Sequence, residues 1–371
     1  MKRHRFDTEL IMKSVASVLL IIATAFSGKL SLLTVNGIQK ISASFCTEST
    51  SGETETVKTE QTNEADSTEA TTVLHEQKKA KTENGKYETP EDIIEMQKDY
   101  SDKYSDKDKA GTVYESYYIT KGATDTFGDI AVKNTTAALD PDFEALLKEK
   151  SDLEVKDKNE PVVLIFHTHT TESYLMADDG CFYNGYETKS TDPTRNMVRV
   201  GDAICQALDE HGIGYIHDTE IYDNYYNGAY SRSRVSVEKY LEENPSIKIV
   251  LDVHRDALYY SDTEHGKAAY EIDGKKAAQI MIISGAEDSG ITDFPDWEYN
   301  LRFALEIQSK AMENYYGLMK PIFFCPRRYN MNTAHCSLLL EFGTDANTLE
   351  EAVYSGYLMC NVLSEIIEEH S

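Results

Sequence analysis

The apolar sequence Val162-Val163-Leu164-Ile165-Phe166 is followed directly by His167-Thr168-His169-Thr170-Thr171-Glu172. A short apolar run that ends at polar residues is typical of a buried strand that opens into a loop. In open α/β sheets, ligands bind at the carboxyl ends of the strands. Two imidazoles and a carboxylate at such an end therefore predict one half of a metal site.

Two later segments share this pattern. Residues 247–253 are mostly apolar and precede His254, and residues 337–340 precede Glu341. Segments with apolar residues at helical spacing separate the strands, and Asp192-Pro193 predicts the start of one of these helices, as N-cap and first helical residue. Strands that alternate with helices predict an α/β fold with a mostly parallel central sheet and helices on both faces.

The strand ends carry the residue types that a catalytic zinc site needs. Such a site has nitrogen or oxygen ligands and one open position. The strand-end groups are His167, His169, His254 and Glu341. Two histidines from separate strands with one carboxylate meet this requirement, and a further carboxylate, held off the metal, can take the proton from the bound water. His167 and His169 would face the same side of a strand, so His167 is an alternative ligand.

The composition excludes some classes of function. The 371 residues include 64 acidic and 37 basic residues and carry a net charge of -27. Nucleic-acid binding is not expected, because phosphate recognition depends on Lys and Arg. Contact with an anionic polymer is expected only in a specific groove. The six cysteines show no metal-binding or disulfide spacing.

The N-terminal region predicts export. Basic residues in 1–13 precede an apolar segment at 14–35, which is long enough for a signal anchor and places the N-terminus in the cytoplasm. The predicted location is therefore the cell membrane, with a single span and the remaining chain outside. A cleaved signal peptide, processed near Ala25-Phe26-Ser27, is the alternative.

The rest of the chain is expected to contain three regions. Residues 47–111 are acidic, rich in Thr and Ser and poor in apolar residues, which predicts a disordered linker. Residues 112–160 are expected to form an early hairpin or a lead-in extension. Residues 161–371 hold the strand-end motifs and are the predicted catalytic domain.

Several motifs in the order seen here resemble those of stage II sporulation protein P, a family that belongs with the zinc-dependent N-acetylmuramoyl-L-alanine amidases. The resemblance covers residues 161–371. It is carried by His167-Thr-His-Thr-Thr-Glu-Ser-Tyr174, Asp252-Val-His-Arg-Asp-Ala257, Asp296-Trp-Glu-Tyr-Asn-Leu-Arg-Phe-Ala304, Leu340-Glu-Phe-Gly343 and Asn347-Thr-Leu-Glu-Glu351.

The resemblance implies a zinc amidase type of fold and a sporulation enzyme that acts during engulfment. The implied reaction is hydrolysis of the amide between muramic acid and the stem peptide of peptidoglycan. The family is also linked to cutting peptide cross-links, and its members act with stage II sporulation proteins D and M. The implied cofactor is Zn²⁺.

The resemblance also implies roles for individual residues. His169 and His254 match the two metal histidines, and Glu341 matches the catalytic glutamate. The third ligand departs from the usual amidase pattern, which places a Glu at the start of the helix after the first long loop. Glu172 is our choice, with Glu187 and Asp192 as alternatives.

Arg255 follows His254 and is a candidate for substrate or oxyanion contact. Its alternative role is structural, through an ion pair with Asp256 or Asp252. For the whole protein, two other functions stay open: a membrane-tethered scaffold that binds cell wall without cutting it, and a different metal hydrolase on a similar sheet.

Overall fold

The computed structural model describes residues 87–371, so the predicted anchor and most of the predicted linker lie outside the described residues. The helices in this part are α1 (Glu91–Lys103), α2 (Phe143–Lys148), α3 (Met197–Glu210), α4 (Ala229–Glu243), α5 (Trp297–Asn314) and α6 (Leu349–Glu369). The strands are β1 (Lys109–Ser116), β2 (Asp125–Phe127), β3 (Ile130–Asn134), β4 (Pro161–Phe166), β5 (Cys181–Tyr183), β6 (Gly214–His217), β7 (Ile249–Asp256), β8 (Tyr259–Ser261), β9 (Glu264–Ile272), β10 (Lys275–Ala278), β11 (Ile280–Gly285), β12 (Ile322–Cys325) and β13 (Cys336–Thr344).

The central sheet has eight strands in the order β2-β3-β12-β11-β13-β7-β4-β6. The β2–β3 and β11–β13 pairs are antiparallel, and the other neighbours are parallel. The predicted α/β class with a mostly parallel sheet is confirmed. The antiparallel contact at β11 reverses the direction of one side of the sheet, which the apolar pattern of that strand does not reveal.

The inner strands are covered on both faces, as predicted. On β4, Val163 and Ile165 belong to the apolar core that includes α3, α5 and α6. Leu164 and Phe166 point to the other face and pack with Val237 of α4, because successive strand residues alternate between faces. Burial of each such side chain stabilises the fold by about 1.5–3 kcal/mol, which explains why these strands are almost continuously apolar.

The start of α3 differs from the prediction. Asp192 accepts a hydrogen bond at 3.0 Å from the main-chain N–H of Thr194 and so stabilises a local turn. The helix begins four residues after Pro193, where Asn196 accepts from the main-chain N–H of Val198 at 3.0 Å. Asp-Pro is equally suited to a turn and to a helix start, so the sequence pattern alone does not separate the two.

The end of β13 also differs from the prediction. The strand continues past Glu341 to Thr344, but its register with β7 becomes irregular between these residues. Gly343 has a φ of 67°, and a Cβ there would lie 2.6 Å from Asn347 Oδ1. Regular pairing, rather than the strand, ends at Glu341, and such irregularities often redirect side chains beside active sites.

The ordered fold begins before the predicted catalytic domain. Residues 91–103, inside the predicted linker, form α1, and β1 begins at Lys109. The region of the predicted lead-in contains an early hairpin, because β2 pairs with β3 and β3 pairs with β12 of the central sheet. The central sheet therefore includes strands from residues 125–134.

A second sheet, which the sequence pattern did not predict, has the order β10-β9-β1-β5, with β8 added to β9. It is joined to the end of β13 by hydrogen bonds from Thr344 Oγ1 to the Gly266 carbonyl at 2.8 Å and from Asn347 Nδ2 to the Ala268 carbonyl at 3.1 Å. Lys267 of β9, 1% exposed, contacts Glu351 at 2.6 Å in the first turn of α6. These contacts fix the second sheet beside the carboxyl end of β13.

In the part of the chain that the structure describes, no helix has both the length and the apolarity that crossing a membrane requires.

We expect Lys267→Ala to lower the free energy of unfolding by about 3 kcal/mol, because it leaves the buried Glu351 carboxylate without its cation. Urea unfolding of purified variants measures this change. The matched control is Lys276→Ala, whose ammonium contacts Asp178 at 2.7 Å but whose side chain is 42% exposed. This control should lose less than about 1 kcal/mol. Equal losses in the two variants would contradict the role given to Lys267.

Candidate metal centre

Three neighbouring parallel strands bring the predicted site residues together. His169 lies just beyond β4, His254 lies in β7, and Glu341 of β13 is paired in register with His254. Residues paired on adjacent strands point to the same face and are separated by one strand spacing, about 4.8 Å. The carboxyl ends of β4 and β7 and the end of regular pairing in β13 therefore converge at one place, as the sequence predicted.

His169, Glu172 and His254 form a compact group. Their ligand atoms all lie within 4.8 Å of one another. Within residues 87–371, these are the His, Cys, Asp or Glu residues that are close enough together to hold a metal ion. Glu172 Oε1 is 3.5 Å from His169 Nδ1, and Glu172 Oε2 is 3.4 Å from His254 Nδ1. One carboxylate therefore faces both imidazoles.

This donor set fits zinc. The Nδ1–O distances exceed those of ordinary charge-assisted hydrogen bonds, about 2.7–2.9 Å. Atoms that lie 2.0–2.2 Å from one tetrahedral ion are separated by about 3.3–3.6 Å. Each histidine Nδ1 lies at such a distance from one oxygen of Glu172, and the two contacts use different oxygens. Two imidazole nitrogens and one carboxylate oxygen are also a known ligand combination of catalytic zinc.

Asp252 orients the His254 ring. Its Oδ1 atom lies 2.7 Å from His254 Nε2, although the N–H is not aimed straight at the oxygen. When Nε2 carries a proton toward the Asp252 carboxylate, which only accepts hydrogen bonds, Nδ1 is the ring nitrogen that faces Glu172 and is free to bind a metal. Carboxylates placed behind a histidine in this way fix the ring and strengthen metal binding.

Asp252 is itself held by a buried network. Thr168 donates to it twice, from its main-chain N–H at 2.8 Å and from Oγ1 at 2.7 Å. Thr168 Oγ1 also contacts Ser233 Oγ at 2.8 Å, and Asn330 Nδ2 donates to Ser233 Oγ at 3.1 Å. Asn330 adopts a left-handed φ of 60°, an uncommon conformation outside glycine. The network links α4 and the turn before β13 to the His254 ring.

The charges within the group support one another. Burial alone would lower the pKa of His254, but the carboxylates of Asp252 and Glu172 raise it well above its ordinary value. Burial alone would raise the pKa of Glu172, but His169, His254 and Arg255 lower it well below its ordinary value. The site therefore favours an ionised carboxylate beside positive charge, which a divalent cation would supply.

Glu341 has a different environment. Burial, reinforced by the carboxylates of Asp256 and Glu172, raises the pKa of Glu341 to about 8. Within the described residues, its Oε2 atom is buried and has no hydrogen-bond partner. A buried polar atom without a partner costs free energy, so its persistence beside a metal-binding group is typical of a functional residue.

The other predicted candidates lie outside this group. His167 is fully buried, with Nδ1 3.0 Å from the Val253 carbonyl oxygen and Nε2 2.9 Å from His217 Nε2. It supports the end of β4 instead of facing Glu172. Glu187 is exposed, and the Asp192 carboxylate is engaged in its own turn. Of the three candidates for the third ligand, the structure brings Glu172 to the two histidines.

Arg255 points away from the site, because it follows His254 on the strand and takes the opposite face. Its guanidinium donates to the carbonyl oxygens of Ser173 at 3.2 Å and Thr188 at 3.1 Å. Its main-chain N–H donates to Glu172 Oε2 at 3.2 Å. These contacts favour a structural role for Arg255 over contact with substrate. The predicted structural partners were the carboxylates of Asp252 or Asp256, whereas the observed contacts run to the loop that carries Glu172.

Aromatic residues that the sequence analysis missed form one wall of the site. Tyr226 stacks on the His169 ring with centroids 4.9 Å apart. Tyr230, at the start of α4, lies 5.5 Å from His169 and 6.4 Å from His254, and Tyr329 stacks on Tyr230 at 4.9 Å. The concentration of tyrosines in residues 222–230 is a signal in the sequence that could have indicated this wall.

The fold and site define an α/β protein in which two histidines and one glutamate are arranged so that they could hold a metal ion. A family model described as stage II sporulation protein P matches residues 30–364, so the chain belongs to the stage II sporulation protein P family. The curated "Stage II sporulation protein P" of Bacillus subtilis (strain 168) is 30% identical over 223 residues, 55% of this chain and 51% of that protein. The match thus spans about half the length of that relative.

Solved structures with similarity to this chain include two amidases. The N-acetylmuramoyl-L-alanine amidase AmiC2 of Nostoc punctiforme has a TM-score of 0.32 and 10% identity, over 56% of this chain and 96% of that chain. The N-acetylmuramyl-L-alanine amidase Ami1 of Mycobacterium abscessus has a TM-score of 0.33 and 14% identity, over 57% and 98%. Scores of this size do not establish a shared fold, so the family match is the finding that classifies the chain.

We expect Asp252→Asn to weaken zinc binding by about 10- to 100-fold, because the amide no longer fixes the His254 ring as a carboxylate does. Competition with a zinc-sensitive dye measures the affinity. The matched control is Asp218→Asn, which changes another buried carboxylate whose Oδ1 accepts from the Glu220 main chain at 3.0 Å. Unchanged affinity in Asp252→Asn would show that Asp252 does not orient the ligand.

Proposed function

We propose that this protein is a membrane-anchored zinc hydrolase that cleaves the N-acetylmuramoyl-L-alanine amide of peptidoglycan during sporulation. The observation that carries the proposal is the convergence of His169, Glu172 and His254 within 4.8 Å, beside the buried carboxyl group of Glu341. Membership of the stage II sporulation protein P family supports the role in sporulation.

In this proposal, His169, Glu172 and His254 hold Zn²⁺. When bound, this ion supplies a Lewis acid that lowers the pKa of water toward neutrality and polarises the amide carbonyl. Asp252 keeps the Nδ1 lone pair of His254 directed at the ion, and the main-chain N–H of Arg255 keeps Glu172 in place. These residues are pre-organised by the sheet, so little rearrangement is needed before the reaction.

Glu341 acts as general base and then as general acid. Its unpartnered Oε2 atom accepts the proton of the attacking water and passes it to the nitrogen of the leaving amine. Burial raises the pKa of Glu341 toward the working pH, where a carboxyl group is best able both to take and to give a proton. The burial of Glu341 is therefore part of its proposed function.

The location and partners are also proposals. The apolar residues 14–35 after a basic N-terminus support a signal anchor, and the acidic residues that follow support a spacer that carries the enzyme away from the membrane. Action on peptide cross-links and cooperation with stage II sporulation proteins D and M stay predictions from the family resemblance.

We expect Glu341→Gln to lower hydrolysis of purified peptidoglycan by about 10²- to 10⁴-fold while zinc stays bound, because glutamine keeps the shape but cannot take a proton. His254→Ala should lose zinc and hydrolysis together. Mass spectrometry of the released muropeptides measures the reaction: the proposed enzyme releases intact stem peptides.

Glu144→Gln, a change on the exposed side of α2, is the control and should leave hydrolysis unchanged. Full activity of Glu341→Gln would contradict the role of general base. Binding of the wild-type protein to cell wall without any release of peptide or acetyl groups would favour the non-catalytic scaffold. Release of cut peptides or of acetate would favour a different hydrolase.

A further inference from the structure

A groove separates α1 from the loop that follows the metal-binding motif. It has a volume of about 430 Å³, which lies within the range of small-ligand sites. One wall is α1, with Tyr100 and Lys103, and the other consists of residues 176–195, with Tyr186, Lys189 and Arg195. We call it the α1 groove.

The α1 wall is firmly attached to the fold. Asp92 of α1 accepts from Arg199 Nε at 3.1 Å, and Arg199 is 4% exposed. Gln97 Nε2 donates to Glu350 Oε2 at 2.7 Å. The ring of Tyr100 lies 4.9 Å from that of Tyr186 across the groove, in edge-to-face geometry. The groove is therefore a built feature of the fold.

The groove is locally cationic although the chain carries a net charge of -27. Lys103, Lys189 and Arg195 line it against two carboxylates, Asp99 and Glu187. Among residues 87–371, neither lysine has a carboxylate within 4.0 Å: their ammonium groups lie over the rings of Tyr104 and Tyr226, respectively. Such a surface selects a ligand that brings its own negative charge.

Two hydrogen-bonding atoms of the lining residues also have no partner. Tyr100 Oη and Arg195 Nε are buried without a hydrogen bond within the described part of the chain. The Arg195 guanidinium contacts Tyr186 twice, through a hydrogen bond from Nη2 to Oη at 3.0 Å and by lying 5.4 Å from the ring centroid. Both atoms are buried within the wall of the groove, whereas Lys103 and Lys189 are exposed. The two lysines are therefore the groups that a ligand in the groove would meet first.

Lys189 connects the α1 groove to the metal centre. Its backbone forms an antiparallel bridge with that of Glu172. Its ammonium lies 5.8 Å from the ring centroid of Tyr226, and Tyr226 stacks on the ring of His169. Lys189 therefore lines the groove and also lies beside the aromatic wall of the metal centre.

We propose that the α1 groove binds the carboxylates of the stem peptide whose amide bond is cut at the metal centre. This inference rests on the proposed function. The stem peptide offers free carboxylates to the two lysines and Arg195, whereas an uncharged sugar would leave the three cations unmatched. Residues of α1, outside the predicted catalytic domain, would then supply part of the substrate site.

The test is a binding measurement with the tripeptide L-alanyl-γ-D-glutamyl-L-lysine, which has two free carboxylates, and with the same peptide amidated at both. Isothermal titration uses the full-length, chelator-treated protein, so that neither metal ligation nor hydrolysis contributes. We expect the double variant Lys103→Ala/Lys189→Ala to bind the free-carboxylate peptide about tenfold more weakly than wild type. Wild-type protein should bind the amidated peptide at least as weakly as the double variant binds the free-carboxylate peptide.

Both lysines are exposed, so their substitution should not impair folding. The charge-preserving variant Lys103→Arg/Lys189→Arg should restore binding to within about threefold of wild type. Lys121→Ala, outside the groove, is the control and should not change binding. With peptidoglycan as substrate, the alanine double variant should raise KM and leave kcat nearly unchanged.

Three results would overturn the inference: wild-type affinity in the alanine double variant, equal affinity for the amidated peptide, or displacement of the peptide by a peptide-free disaccharide of the glycan. The outcomes separate the two proposals. If the peptide binds through its carboxylates but the protein releases no stem peptide from peptidoglycan, only the proposed function is refuted. If the protein hydrolyses peptidoglycan but its binding of the peptide does not depend on the carboxylates, only the proposed role of the α1 groove is refuted.

Discussion

The site depends on the parallel register of β4, β7 and β13. Because β13 pairs with β7 so that Glu341 lies opposite His254, a strand spacing alone sets the distance between the proposed base and a proposed metal ligand. β4 ends one strand further and delivers His169 and Glu172 from the loop that follows. A shift of one residue in either pairing would turn one of these side chains to the opposite face, so apolar packing on both faces of the sheet maintains the chemistry at its edge.

The second layer of the site is a set of polar groups that have specific partners. Asp252 links the Thr168 main chain to the His254 ring, and Arg255 joins the loop of Glu172 to β7. Each of these contacts involves a charged group in a buried position, where an unpaired charge would be costly. Glu341 has no such paired contact at Oε2, which is buried without a hydrogen-bond partner. We interpret this local cost as the requirement for a carboxyl group that exchanges a proton.

Much of this arrangement could be predicted from the sequence. The apolar strands and the residues at their ends are local patterns, and these patterns indicate the strand-end histidines and Glu341. The choice of His169 and Glu172 among their alternatives came from the family resemblance. The contacts that depend on tertiary structure were not predictable in this way. The reversal at β11, the role of Arg255 in holding a loop and the tyrosine wall all depend on segments far apart in sequence. The Asp192-Pro193 prediction failed because a turn and a helix start use the same residues.

The central claim is that His169, Glu172 and His254 bind one zinc ion. X-ray absorption spectroscopy of the full-length protein loaded with one equivalent of zinc tests it most directly. We expect four light ligands at about 2.0–2.1 Å, two of them imidazoles, and no sulfur. We also expect Glu172→Ala to remove one oxygen ligand and to leave both imidazoles. A sulfur ligand at about 2.3 Å, or a zinc spectrum unchanged by Glu172→Ala, would contradict the claim.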